Sequence, residues 1–283
     1  MTDSSTDEVV YEVEPSGVAW LVLNRPDAGN ALTRDQRRRI QDRLEEAGDD
    51  LGVRAIVLTA SGDRHFCTGG DLRVAAQTAT PQLAAPKPAD APDKPVGSVM
   101  RGLESSLGAQ RFIAALQDCP KPIIAAVNGT AAGFGVHIAL ACDLVIAADT
   151  ARFIEIFVRR GLIPDGGGAY LVTRLVGPQK AKELFFFGDD ITAEEAQRIG
   201  LVNRVVPAAE LRDRAREWAE RLASGPTVAI ALTKRLVNTA LESERSAAFR
   251  AEALALEVSM QAVDSNEGVR AFVERRPAEF LGW

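Results

Sequence analysis

The chain has 283 residues, with 33 Lys and Arg against 39 Asp and Glu, and a formal net charge of -6. This acidic balance argues against a nucleic-acid or anionic-membrane partner, because few cations are available to neutralise phosphates. No apolar run reaches the length needed to span a membrane. Residues 1–8 are polar and acidic rather than basic and then apolar, so we expect a cytoplasmic protein without a secretory signal.

The three cysteines, Cys67, Cys119 and Cys142, fit neither a metal-ligand spacing nor a disulfide framework. Cys142 follows an apolar run, which predicts a small buried thiol. We therefore expect no metal site and a reducing compartment.

Short apolar segments alternate with helical patterns along the first two hundred residues. Residues 11–23 predict a strand pair broken at 15–17, and residues 24–30 predict a loop from their turn-forming composition. Residues 33–47 predict a helix with Thr33 as its N-cap, on which Arg37, Arg38 and Arg39 are interpreted as a solvated face. Buried strands are predicted at 55–59, 123–127 and 144–147, and this alternation is typical of an α/β fold with parallel strands covered by helices.

Residues 74–96 differ from the rest of the chain because they are rich in Ala, Pro, Thr and Gln. Proline continues neither a helix nor an inner strand, so the segment is predicted to be a loop that is either an active-site lid or locally disordered.

From Pro207 onward the pattern is helical, over 211–223, 227–241 and a segment through Phe249 and Leu256. The sequence therefore predicts a core of residues 1–206 and a helical C-terminal subdomain of residues 207–283.

Two glycine-rich turns follow predicted strands. Gly69 and Gly70 lie in the first turn, and the second runs from Gly129 through Gly133 to Gly135 before a predicted helix. Free backbone N–H groups at such turns stabilise negative charge that develops on an oxygen. The spacing of the second turn matches neither dinucleotide-binding nor P-loop patterns.

In their order and spacing, these segments resemble the crotonase family of enoyl-CoA hydratases and isomerases. The resemblance covers nearly the whole chain and implies a spiral of ββα units, a helical C-terminal region and a homotrimer or dimer of trimers. It also implies an acyl-CoA thioester substrate, and no cofactor is expected because coenzyme A is part of that substrate. The segments that carry the resemblance are 23–26, 54–59, 66–71, 141–143, 161–164, 194–196, 200–203 and 267–276.

The resemblance also assigns the catalytic positions. The thioester oxygen would be held by the backbone N–H groups of Gly70 and Phe134. The two glutamates of the hydratases fall on His137 and Phe157, and the spacing excludes Glu155 as a displaced acid. Asp165 occupies the position of a catalytic aspartate in members that resemble isomerases; its alternative role is that of a turn residue, and the alternative for His137 is a structural histidine.

Other positions resemble those that contact coenzyme A, with ordinary packing as the alternative for each. They lie in the early loop, around the first donor turn and near the C-terminus: Arg25, Ala28, Ala31, Leu32, Cys67, Gly69, Asp71, Leu72, Phe272 and Arg275.

The leading hypothesis is an enoyl-CoA isomerase, or a related enolate-forming enzyme, with Asp165 as its single acid/base group. One alternative is a hydratase that uses His137, and another is an acyl-CoA binder that has kept the fold without the chemistry.

Overall fold

A computed structural model of the chain describes residues 7–71 and 108–283, so the predicted loop at 74–96 and Leu72 lie outside the described residues. The described residues form a mixed α/β fold with two sheets. The larger sheet has the order β1-β2-β3-β5-β7-β10, in which β1 pairs antiparallel to β2 and the other neighbours are parallel. Its strands are β1 (Val9–Val13), β2 (Val18–Leu23), β3 (Ala55–Ala60), β5 (Ile123–Val127), β7 (Leu144–Ala148) and β10 (Arg204–Val206).

A smaller sheet of three-residue strands has the order β4-β6-β8-β9, and its strands were not predicted individually, although the family resemblance implied ββα units. Three residues are too few for an alternating pattern to stand out from a turn, which is why the glycine-rich segments were interpreted as turns alone. These strands are β4 (His65–Cys67), β6 (Thr130–Ala132), β8 (Arg152–Ile154) and β9 (Asp190–Thr192).

The chain advances as a spiral in which a strand of the larger sheet is followed by a strand of the smaller sheet and a helix. This repeat confirms the predicted ββα architecture, because β5 leads through β6 into one helix and β7 leads through β8 into the next. The helices are α1 (Arg34–Asp49), α2 (described over 108–118), α3 (Phe134–Ala141), α4 (Gly168–Phe187), α5 (Ala193–Arg198), α6 (Leu211–Ala223), α7 (Thr227–Ala240), α8 (Arg245–Met260) and α9 (Val263–Glu274).

Helix α1 begins where the sequence predicted. The Thr33 hydroxyl accepts a hydrogen bond from the backbone N–H of Gln36, and the Gln36 side chain accepts one from the backbone N–H of Thr33. This capping box satisfies two backbone donors at the helix start and fixes which residues of α1 face the core.

The core lies between the larger sheet and the helices that cover it. Strands β3 and β5 are buried along their whole length, as their continuous apolar runs predicted. The predicted thiol burial is also confirmed, since Cys67, Cys119 and Cys142 are all buried.

Residues 207–283 contain helices and no strand. Several large apolar side chains of α7 and α8 are exposed in the single chain, including Val237, Phe249, Leu254 and Leu256. In the described part of the chain, no helix combines the length and apolar character that membrane crossing requires.

Candidate active site

A cavity of about 200 Å³ lies where the two glycine-rich turns meet. Gly70, Phe134 and Asp165, which the sequence singled out from separate segments, all line it. The other lining residues are Arg37, Thr68, Gly69, Ala109, Gly133, Ile156, Phe157, Arg160 and Leu162.

The first turn presents the N–H of Gly70 on the side away from Leu32. Leu32 donates to the carbonyl of Gly69 and accepts from the N–H of Asp71, so both of its backbone groups bond to the residues that flank Gly70. Successive N–H groups of an extended chain point to opposite sides. Gly69 adopts a φ of 101°, and a Cβ there would lie 3.5 Å from the backbone nitrogen of Phe134, which shows how closely the two turns approach.

The second turn ends at the first residue of α3. Gly133 takes a φ of 53°, which glycine adopts without penalty, and Phe134 itself needs no positive φ. The N–H of Phe134 precedes the first intrahelical bond of α3 and has no acceptor among the described residues. It is therefore available to an oxygen in the cavity.

The loop that carries Asp165 packs tightly against these elements through its glycines. A Cβ at Gly166 would lie 2.3 Å from the ring of Phe134, and a Cβ at Gly168 would lie 2.1 Å from the ring of His137. Only glycine allows this approach. Asp165 itself is exposed at the edge of the cavity in the single chain.

His137 is fully buried and does not line the cavity. Its Nε2 lies 3.0 Å from Oε2 of Glu155, whose side chain is 5% exposed. Its ring stacks on that of Phe157, with the centroids 5.3 Å apart and the planes within 9°. Phe157 lines the cavity, and His137 lies behind its ring. An apolar ring thus stands where the resemblance would place the second glutamate of a hydratase.

Arg37 and Arg160 line the cavity and were not predicted to belong to the site. Arg37 was interpreted as part of a solvated helix face, which is correct for the exposed Arg38 but wrong for the half-buried Arg37. Its guanidinium lies 5.8 Å from the centre of the Phe134 ring. Helix α1 buries one face, which includes Gln36. The helical periodicity could therefore have predicted that Arg37 lies at the edge of this face.

The residues predicted to contact coenzyme A divide into several groups. Arg25 is held within the protein: its Nη1 donates to the Ala31 carbonyl at 3.0 Å and pairs with Asp71 at 3.0 Å, and its Nε lies 3.3 Å from Glu8. These contacts tie the early loop to the first donor turn. Buried Asn30, which the sequence analysis missed, reinforces the link by donating to the carbonyl of His65 at 2.7 Å.

The remaining predicted contacts are more dispersed. Ala28 is half-buried, whereas Ala31, Leu32 and Cys67 are buried in the core. Phe272 and Arg275 lie exposed at the end of α9 and do not line the cavity. The structure thus gathers Gly69, Gly70, Phe134 and Asp165 at one cavity, keeps Arg25 and Asp71 beside it, and leaves Phe272 and Arg275 apart.

Four larger clefts lie against the C-terminal helices in the described part of the chain. Two of them have volumes of about 540 and 440 Å³, and the other two have volumes of about 550 and 620 Å³. The last two are lined mainly by apolar side chains such as Leu232, Leu256 and Val237, and the paired backbone donors of the smaller cavity are not among the lining residues of any of the four. Size therefore does not identify the active site here, and the converging donors and carboxylate do.

Comparison with known proteins agrees with this arrangement. The sequence model of the enoyl-CoA hydratase/isomerase family matches residues 13–92 and 101–282. The chain is 34% identical to a crotonyl-CoA hydratase of Syntrophomonas wolfei, over 97% of this chain and 98% of that protein. It is 33% identical to a 1,2-epoxyphenylacetyl-CoA isomerase of Escherichia coli, over 97% of this chain and 99% of that protein.

A solved enoyl-CoA hydratase from Bacillus anthracis superposes with a TM-score of 0.86 at 29% identity, covering 98% of this chain and all of that one. The family match spans both glycine-rich turns and the Asp165 loop. The chain therefore belongs to the enoyl-CoA hydratase/isomerase family.

Proposed function

We propose that this protein is an enoyl-CoA isomerase, or a related enzyme that forms a thioester enolate, with Asp165 as its acid/base group. The observation that carries the proposal is that Gly70, Phe134 and Asp165 line one cavity. Two backbone donors and one carboxylate are the groups that a one-base proton shift requires.

In the proposed reaction, the Asp165 carboxylate takes a proton from the carbon next to the thioester of a 3-enoyl-CoA. The electron pair moves onto the thioester oxygen, where the N–H groups of Gly70 and Phe134 stabilise the negative charge. The protonated Asp165 then returns the proton two carbons further along, which leaves the double bond conjugated with the thioester. This chemistry requires no cofactor besides the coenzyme A of the substrate.

The second candidate is a hydratase, which the name of the Syntrophomonas wolfei relative favours. Hydration requires a base that activates water and an acid that protonates carbon. Phe157 has no proton to transfer, and His137 lies behind it in a buried pair with Glu155. Another relative is named an isomerase, of 1,2-epoxyphenylacetyl-CoA, and its name favours isomerisation rather than hydration.

We also propose a homotrimer or a dimer of trimers in which α7 and α8 lie at subunit contacts. Val237, Phe249, Leu254 and Leu256 are each more than half exposed in the single chain. Exposed apolar patches of this kind are typical of protein–protein contacts.

The test of the enzymatic proposal is deuterium exchange at the carbon next to the thioester, followed by NMR across a panel of acyl-CoAs in D₂O. An enolate-forming enzyme exchanges this proton whatever its final product. A non-catalytic acyl-CoA binder would bind the same compounds without exchange, and that result would overturn the proposal.

A further inference from the structure

The wall of the cavity beside Asp165 carries positive charge, which the binding of a neutral acyl chain would not require. Arg37 and Arg160 both line it, and Asp165 is the only acidic residue among the described lining residues. The described part of the lining therefore has a net positive charge at neutral pH, whereas the proposed reaction uses backbone N–H groups and one carboxylate.

Arg37 is held in place by its surroundings. The capping box at Thr33 fixes the start of α1, and the guanidinium rests 5.8 Å from the centre of the Phe134 ring, within the range of a cation–π contact. Burial lowers the pKa of Arg37 and the nearby Arg34 lowers it further, whereas Asp165 opposes both effects. An arginine remains charged under such conditions, so it presents fixed donors to the cavity.

Neither cavity-lining arginine has an ion-pair partner in the described part of the chain, although neighbouring arginines do. Arg39 pairs with Asp7, and Arg159 lies 3.3 Å from Asp189. An arginine fork matches the geometry of a carboxylate, and a half-buried unpaired guanidinium gains most from such a ligand.

We propose that Arg37, assisted by Arg160, selects acyl-CoA substrates whose acyl group carries a carboxylate at its far end. This inference shares one assumption with the proposed function, namely that the thioester oxygen lies between the N–H groups of Gly70 and Phe134. The Phe134 ring reaches from that point toward Gly166, so Arg37 above the ring lies on the acyl side of the site. The cavity of about 200 Å³ is smaller than the roughly 300–1,000 Å³ of most ligand sites, which suits a short dicarboxylic acyl group.

The experiment compares pairs of saturated thioesters with equal carbon number, glutaryl-CoA with pentanoyl-CoA and adipoyl-CoA with hexanoyl-CoA. Dissociation constants are measured by calorimetry for the wild type, Arg37→Met and Arg160→Met. Arg38→Met and Arg159→Met are the matched controls, because these exposed arginines lie beside the tested ones and do not line the cavity.

We expect the wild type to bind the carboxylate-bearing member of at least one pair about tenfold more tightly, as charge-assisted hydrogen bonds predict. Arg37→Met should bring this ratio close to one. Arg160→Met should lower it less, because Arg160 is exposed, and both controls should preserve it. A wild-type ratio near one would overturn the proposal. An Arg37→Met variant that weakens both members equally would also overturn it, since that result indicates a contact with coenzyme A itself.

If Arg37→Met fails to fold, the wild-type ratio is measured in increasing NaCl, where screening should reduce it; a preference that does not respond to salt would contradict the proposal. Deuterium exchange on the same four thioesters separates this inference from the proposed function. Tighter binding of the carboxylate-bearing thioesters without deuterium exchange would refute the enzymatic role and support the selectivity. Exchange without a binding preference would support the enzymatic role and refute the selectivity.

Discussion

The imidazole of His137 and the carboxylate of Glu155 form a buried pair, with Nε2 3.0 Å from Oε2. The other polar atom of each group, Nδ1 of His137 and Oε1 of Glu155, has no hydrogen-bond partner among the described residues. The pair depends on a single contact, and it supports the Phe157 ring from behind. Its geometry favours a structural role over direct contact with substrate.

Breaking this pair should destabilise the fold. Glu155→Ala leaves a buried imidazole without its partner, for which we expect a loss of about 3 kcal/mol in the free energy of unfolding. The measurement is urea unfolding of Glu155→Ala, His137→Ala and the double variant. The two losses should not add, with a coupling of about 1–3 kcal/mol. Additive losses would show that the two side chains do not interact.

Replacing Gly168 should lower the free energy of unfolding far more than replacing the nearby Gly161. A Cβ at Gly168 would lie 2.1 Å from the His137 ring, so we expect Gly168→Ala to cost about 3 kcal/mol or more through overpacking. Gly161 has a φ of +65° and no atom within 4 Å of a built Cβ, so Gly161→Ala should cost only about 1 kcal/mol from backbone conformation. Equal losses in thermal or urea unfolding would contradict the proposed contact.

The fold illustrates which features a sequence reveals. Most strands of the larger sheet, the cap at Thr33 and helices α6 to α8 were predicted from continuous runs or local patterns, whereas the three-residue strand β10 was not predicted. The three-residue strands of the smaller sheet carry no such signal, and their pairing depends on parts of the chain that are distant in sequence.

The site shows the same division. The glycine-rich turns are visible as local motifs, whereas the roles expected for Gly70, Phe134 and Asp165 came from the resemblance to the family. Composition does not separate Arg37 from Arg38, but the helical phase of α1 does, because it places Arg37 beside the buried Gln36 and leaves Arg38 exposed. Only the packing of α1 shows that this edge of the helix borders the cavity.

The thiol of Cys67 should be unreactive in the native protein. Burial raises its pKa to about 12 from an ordinary value of 9.0, so at about pH 8 only about one thiol in ten thousand is ionised. We expect iodoacetamide to label Cys67 in urea and not in buffer, as read by peptide mass spectrometry. Rapid labelling of the native protein would show that the site opens to solvent.

The same shift predicts alkaline instability. The folded-state pKa of Cys67 lies above that of the unfolded thiol, so its contribution to stability is complete below about pH 9 and is lost as the pH rises toward 12. The free energy of unfolding should fall over this range, and Cys67→Ala should show a shallower fall. An identical pH profile for both proteins would contradict this assignment.

The apolar surface of α8 should mediate assembly. We expect the wild type to sediment as a trimer or hexamer at micromolar concentration. Leu256→Glu should shift it toward monomer, because a carboxylate at an apolar contact is costly to desolvate. The matched control is Glu252→Gln on the same helix, which should leave the assembly unchanged. A wild-type monomer would refute the proposal.

The central claim is that Asp165, and not His137, moves the proton. The most direct measurement is the rate at which 3-hexenoyl-CoA is converted to 2-hexenoyl-CoA by the wild type, Asp165→Asn and His137→Gln, with crotonyl-CoA hydration measured in parallel. We predict a loss of about a hundredfold to ten-thousandfold for Asp165→Asn, the usual range for a lost proton-transfer group, a smaller loss for His137→Gln, and poor hydration throughout. Efficient hydration that is abolished by His137→Gln and unaffected by Asp165→Asn would contradict the account.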